Sequence, residues 1–167
     1  MLTRIVIISF LLATNGCHNP DERGIVQREG KADIFLVDKT DSEMVEAMAR
    51  AQRSIPEFLT ALKSPKKNQS AFAVKFPFVE GQQTEHMWVN ELSYDESVLR
   101  GVLNNEPKYL RGYKVGQSVE IAPAKISDWM YVEDNKLIGG YSLRVLFKKY
   151  TPEEKQKFEQ SLGFKVE

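Results

Sequence analysis

Phe72–Phe78 reads FAVKFPF: Phe72, Val74, Phe76 and Phe78 alternate with Ala73, Lys75 and Pro77. A period of two puts the four large apolar side chains on one side of an extended chain, so the segment is a half-buried strand. Glu80–Gln83 contains Gly81 and turns the chain, and Thr84–Leu92 (TEHMWVNEL) is extended again. Together they predict an antiparallel hairpin. This hairpin divides the chain: a helical pattern precedes it and strand patterns follow it.

Upstream, Met44, Met48, Ala51, Ile55, Phe58 and Leu62 recur at spacings of three and four, one apolar helical face. Thr40 with Glu43 has the spacing of a capping box, and Ser54–Glu57 (SIPE) repeats it with Pro56 in the first turn. One kinked helix or two consecutive helices fit this stretch. Ahead of it Asp33–Val37 (DIFLV) is a short apolar strand, and Ser64–Ser70 behind it is a loop.

Downstream, Val98–Leu103 and Gln117–Ile121 are short strands. Trp129–Glu133 and Leu137–Phe147 flank Asp134–Asn135, a tight-turn pair. Tyr141, Leu143, Val145 and Phe147 share a face if the second of these is extended, with Gly139–Gly140 as a bulge. Thr151-Pro152-Glu153-Glu154 opens a final helix that ends near Leu162–Gly163. The expected fold is α+β: an N-terminal helix, kinked or paired, an antiparallel sheet of about five strands, and a C-terminal helix.

The chain has 167 residues, room for one domain and an appendage. Met1–Cys17 reads MLTRIVIISFLLATNGC, with Arg4 ahead of an apolar run from Ile5 to Ala13. Nine helical residues span about 13 Å against a bilayer core of roughly 30 Å, so the run has the anatomy of a secretory signal, not of a membrane span. The sole cysteine, Cys17, follows Gly16. The segment resembles a bacterial lipoprotein signal, in which that cysteine is lipidated, although Thr14 stands where such signals carry Leu. The other reading is an ordinary signal cut nearby, leaving Cys17 as a thiol. The expected organisation is a signal over 1–16, a polar tether over 17–31 and one domain over 32–167. His18 after the cysteine, by resemblance to Gram-negative lipoproteins, implies the outer membrane facing the periplasm.

Lys+Arg is 23 and Asp+Glu is 23. Without a basic excess, nucleic acid is not an expected partner. One cysteine allows no internal disulfide, and two histidines leave little material for a metal site, so neither metal nor cofactor is implied.

No nucleophile elbow, zinc-binding helix, phosphate loop or dinucleotide fingerprint is present, and no catalytic set is assigned. His86 is the one candidate base of its type within the domain. Strand alternation turns Glu85 and Met87 to the face opposite His86 and Trp88, so Glu85–His86 is no ready dyad. Ile126–Tyr131 (ISDWMY) gathers a carboxylate, an indole and a phenol, the composition of a binding site and equally of a core plug with Asp128 capping a turn. Asn104–Pro107 (NNEP) is a turn that could present amides to a ligand.

From Ala49 to Leu146 the chain resembles the bacterial family of unknown function DUF2314. The resemblance rests on AQRSIPEFLTAL (51–62), FAVKFPF (72–78), EHMWV (85–89), GVLNNEP (101–107), GQSVEI (116–121), ISDWMY (126–131) and GGYS (139–142). It implies no activity. It highlights His86, Trp88, Asn105, Asp128, Trp129 and Gly140 as candidate binding residues.

Three functions are then open. The first is a tethered, non-enzymatic binding module of the cell envelope, with an unknown protein or envelope ligand held near His86/Trp88 and Asp128/Trp129. On that reading alanine at Trp88 or Asp128 should abolish binding and leave the melting temperature nearly unchanged. The second is an immunity or inhibitor protein against a toxin or lytic enzyme. The third is an envelope enzyme with His86 as base and Asp128 as acid or orienter, which requires the two side chains to converge within hydrogen-bond or one-water reach.

Overall fold

In the computed structural model, which describes residues 21–28, 31–35, 41–95 and 97–166 (26–28 and 31–35 by backbone alone), the Met44–Leu62 stripe forms two helices. They are α1 (Ser42–Arg53) and α2 (Ile55–Lys63). Ser54 separates them at φ −101° and ψ 7°, and Pro56 sits in the first turn of α2, where its missing N–H breaks no helical hydrogen bond. The cap of α1 is Asp41, whose carboxylate accepts the Met44 N–H at 3.0 Å; the expected cap, Thr40, lies outside the described residues. Ser54 makes no side-chain cap: its hydroxyl instead donates back to the Arg50 and Ala51 carbonyls.

Ahead of the helices, β1 (Ile25–Arg28) and β2 (Lys31–Phe35) pair antiparallel. The expected strand over 33–37 is thus placed two residues earlier. Residues 25–28, expected within a tether, are a strand, and Ile25 is buried in the core at 1% exposure. Arg23 adds a fork of hydrogen bonds to Glu154 and pairs with Asp21, fastening this end to the last helix. Cys17, His18 and the signal segment lie outside the described residues.

The main sheet contains β3 (Gln69–Glu80), β4 (Gln83–Tyr94), β5 (Leu99–Leu103), β6 (Ser118–Ile121), β7 (Asp128–Glu133) and β8 (Lys136–Gly139). All its pairings are antiparallel, in the order β6-β5-β4-β3-β7-β8. The architecture is therefore α+β, with six strands in the sheet. The β7–β8 turn has Asp134 at φ 50° and Asn135 at φ 62°, the double positive φ that matches the twist of a two-residue hairpin.

The expected strand through Leu143 and Phe147 is instead helix α3 (Tyr141–Phe147). Gly139 and Gly140 have φ of 72° and 63°, which ends β8 and starts the helix rather than bulging a strand. The apolar alternation of YSLRVLF is compatible with both states, and the glycine pair decides it. The last helix, α4 (Pro152–Leu162), begins at the expected Thr151–Glu154 capping box and ends at Gly163 in the left-handed region.

Strand alternation sorts the core into two clusters. Val74, Phe78, Met87, Val89 and Trp129 pack with Ala51, Ile55 and Phe58 of the first two helices. Ala73, Trp88, Met130, Val132 and Leu137 pack with Ile25, Phe147, Tyr150, Phe164 and Val166. One face is thus covered by α1 and α2, whereas the other is covered around β3, β7 and β8 and left open at His86, Arg100, Ser118 and Glu120.

Candidate functional site

The register places Lys75 directly opposite Trp88 on β4 and Asp128 on β7, with Pro77 opposite His86 one step along. Lys75 falls on the face opposite Phe72, Val74, Phe76 and Phe78 because the strand alternates. It therefore stands in a cross-strand row with an indole and a carboxylate. Its ammonium lies 5.6 Å from the Trp88 ring centroid and 3.4 Å from Ser142 Oγ at the start of α3.

Asp128 is fully buried, and both its oxygens are occupied. Oδ1 accepts the Trp129 and Tyr141 N–H groups at 2.9 and 3.0 Å. Oδ2 accepts the Ser142 N–H at 2.8 Å and the Ser142 hydroxyl at 2.6 Å. This carboxylate binds the first N–H groups of α3, which a short helix otherwise leaves unsatisfied. Burial pushes its pKa above the ordinary aspartate range, against the opposing pull of Ser142, Lys75 and the backbone donors. Burial likewise pushes Lys75 down, and Asp128 opposes that shift.

Gly140 donates its N–H to the Trp129 carbonyl at 2.7 Å, and a Cβ on it would lie 2.6 Å from Leu137 Cδ2. A Cβ on Gly139 would fall on the Trp129 carbonyl oxygen and indole. Trp129 faces the other side of the sheet, 2% exposed, where its indole N–H reaches the Ala51 carbonyl and Ser54 Oγ, each at 3.1 Å. These three residues shape the turn and core rather than an open surface.

Trp88 is 6% exposed. Its backbone N–H donates to Asn105 Oδ1 at 2.5 Å, and its carbonyl accepts the Asn104 N–H at 2.9 Å. Asn105 is thus a loop anchor through its side-chain oxygen. The same loop then meets two glutamates. Glu85 accepts the N–H groups of Lys108, Tyr109 and Leu110, and Glu80 accepts those of Arg111 and Gly112. Five consecutive backbone donors are satisfied by two carboxylates, which hold residues 108–112 against the β3–β4 hairpin beyond the reach of β5.

His86 is the most accessible member of the set, although its ring is partly buried where it meets Ser127. Its Nδ1 lies 2.8 Å from Ser127 Oγ, whose hydroxyl donates to the Lys75 carbonyl at 3.1 Å. With that proton committed, neutral His86 donates from Nδ1 and keeps its lone pair on Nε2. Burial and then the Lys75 charge hold its pKa below the ordinary histidine value. Glu85 points away from His86, as the alternation requires. His86 and Asp128 share no hydrogen bond: each is engaged by a different serine.

Of the six residues singled out from the sequence, His86, Trp88 and Asp128 gather around Lys75, with Gly140 at the helix start beside Asp128. Asn105 touches this set through the Trp88 backbone only, and Trp129 serves the other face. Sequence reasoning missed Lys75, Ser127 and Ser142. Lys75 had a visible signal, a lone charge within FAVKFPF. Among the described residues no three His, Cys, Asp or Glu side chains are grouped to hold a metal ion.

A family model described as "Uncharacterized protein conserved in bacteria (DUF2314)" matches residues 41–166. The chain belongs to the DUF2314 family. The match takes in every member of the Lys75 cluster and the helices and strands that carry them. Among similar proteins, the "Uncharacterized protein YegJ" of Escherichia coli K12 is 32% identical over 119 residues, 71% of this chain and 76% of that protein. A putative ankyrin repeat protein of Neisseria meningitidis serogroup B is 31% identical over 142 residues, 80% of this chain and 56% of that one. The chain thus spans about half the length of this second relative. No solved structure matches the chain. The family's description assigns no activity, so function rests on the geometry of this DUF2314 domain.

Proposed function

We propose that this DUF2314 protein is a non-enzymatic binding module of the bacterial cell envelope, tethered through a lipidated Cys17 on the periplasmic side of the outer membrane. The observation that carries the binding reading is the saturation of Asp128. Both its oxygens are occupied by Trp129 and the start of α3, so Asp128 is not free to act as acid or orienting partner for His86 or Lys75. What remains is an accessible imidazole beside a half-buried cation that a buried indole backs, the makings of a recognition surface. The envelope part of the reading rests on Met1–Cys17, where Arg4, the apolar run and Gly16–Cys17 follow the lipoprotein pattern. Among the described residues no helix is long and apolar enough to cross a membrane. Two or more acyl chains would hold the protein stably where one would not.

Cell fractionation of the full chain and its Cys17→Ala variant tests the anchor: the wild type should pellet with membranes and the variant should not. If the variant still pellets, the lipid anchor is wrong. Crosslinking from intact envelopes with wild type and His86→Ala tests the surface. The expected result is a crosslinked species lost in the variant at an unchanged melting temperature. Equal crosslinking by both proteins would remove the His86 surface from the proposal.

A further inference from the structure

Lys75 is a cation that the domain itself leaves short of acceptors. An ammonium has three N–H donors. Among the described residues Nζ has one hydrogen-bond partner, Ser142 Oγ at 3.4 Å, beyond the usual range. Asp128, its cross-strand neighbour, contributes charge but has no close contact to give, because four other donors fill its two oxygens. Trp88 covers the ammonium with a ring face, which attracts a cation without accepting its hydrogen bonds directionally. A half-buried ammonium in this state takes its remaining acceptors from outside the fold, from water or from a ligand that displaces it.

The groups facing that acceptor can be named. They are Trp88 and His86 from β4, Ser127 and Asp128 from β7 and the turn before it, and Ser142 from α3. Neutral His86 has Nδ1 committed to Ser127 and therefore offers an acceptor, Nε2. Lys75, opposite Trp88, and His86, two residues before Trp88 on β4, are diagonal neighbours on one face of the sheet, so that face carries one donor cation and one acceptor.

We propose that Lys75 and His86 form a receptor for a carboxylate that carries an N–H donor next to it, the chemistry of an acylated amino acid or a peptide C-terminus. The carboxylate supplies the acceptors Nζ lacks, and the adjacent N–H meets His86 Nε2. A single negative charge suits the site better than a phosphate dianion, because Asp128 stands behind Lys75. This inference rests on the binding-module reading and names the ligand chemistry of its surface.

The test is titration of the full chain with N-acetylglycine, following the His86 imidazole resonances, which are identified by their loss in His86→Gln. A saturable shift is expected, with acetate and inorganic phosphate binding more weakly and N-acetylglycinamide not binding. Lys75→Met should weaken binding about tenfold or more, and Lys75→Arg, which keeps the charge, by no more than about threefold. Absence of a saturable shift up to about 0.1 M N-acetylglycine overturns the proposal. Tighter binding of phosphate, equal binding of the amide, or unchanged binding by a folded Lys75→Met protein does so as well. None of these readouts depends on Cys17 or on a protein partner, so failure here and failure of the envelope reading are separate results.

Discussion

Glu85 and His86 are neighbours in sequence and serve opposite sides of the sheet. The Glu85 carboxylate accepts the backbone N–H groups of Lys108, Tyr109 and Leu110, whereas His86 Nδ1 meets Ser127 Oγ at 2.8 Å. The first residue positions a loop, and the second stands at the exposed edge of a polar cluster. Substitutions at the two positions should therefore separate stability from binding.

Glu85→Ala removes the acceptor for three consecutive N–H groups. The expected cost is about 1–3 kcal/mol, since charged acceptors are worth more than neutral ones and the donors are left short of partners. Urea unfolding measures the loss. Hydrogen exchange should quicken at 108–110, and protection at the β3–β7 pairing should follow only the global change.

Asp128→Ala should destabilise the domain by about 3 kcal/mol or more, because it strips the start of α3 and leaves Lys75 without its counter-charge. This reverses the expectation, drawn from the sequence, that the substitution would spare the melting temperature. A denaturant midpoint within error of wild type would contradict the anchoring role of the carboxylate.

The two adjacent glycines should differ in tolerance. Both require a left-handed backbone, which costs a non-glycine residue roughly 1–2 kcal/mol. A methyl on Gly140 meets the flexible end of Leu137, whereas one on Gly139 meets the Trp129 carbonyl in the sheet. Gly139→Ala is therefore expected to unfold at lower denaturant than Gly140→Ala.

The His86 shift predicts a pH effect of definite sign. An unfolded histidine titrates near 6.5, and burial together with Lys75 lowers the folded value. Between the two values the unfolded chain binds more protons, so His86 lowers stability as pH falls below about 6.5 and adds nothing further below the folded pKa. Unfolding midpoints at pH values either side of 6.5 should differ more for wild type than for His86→Gln.

The alternation of FAVKFPF and the Thr151–Glu154 capping box were legible because each is a local pattern with one physical solution. The strand expected over YSLRVLF was not: its alternation fits both states, the Gly139–Gly140 pair that starts the helix can equally be read as a bulge, and the contacts that then hold α3, from Asp128 on β7 to the Tyr141 and Ser142 N–H groups, are long-range. The site was partly legible. His86, Trp88 and Asp128 do gather, but their roles depend on Lys75 and Ser142, whose proximity arises only when β3, β7 and α3 meet. Asn105 looked like a presented amide because no sequence rule shows that the Trp88 N–H lacks a strand partner.

The order β6-β5-β4-β3-β7-β8 also has a consequence for how the chain folds. β3 finds β4 through a short hairpin, but its other neighbour, β7, lies beyond β5 and β6, so that closure is slow and non-local. Until it happens, FAVKFPF is an open edge rich in aromatic residues, the kind of segment that recruits other chains. Lys75 sits in the middle of it, and a charge there opposes intermolecular pairing. The lysine that the finished fold leaves short of acceptors is thus also the gatekeeper of the unfinished one.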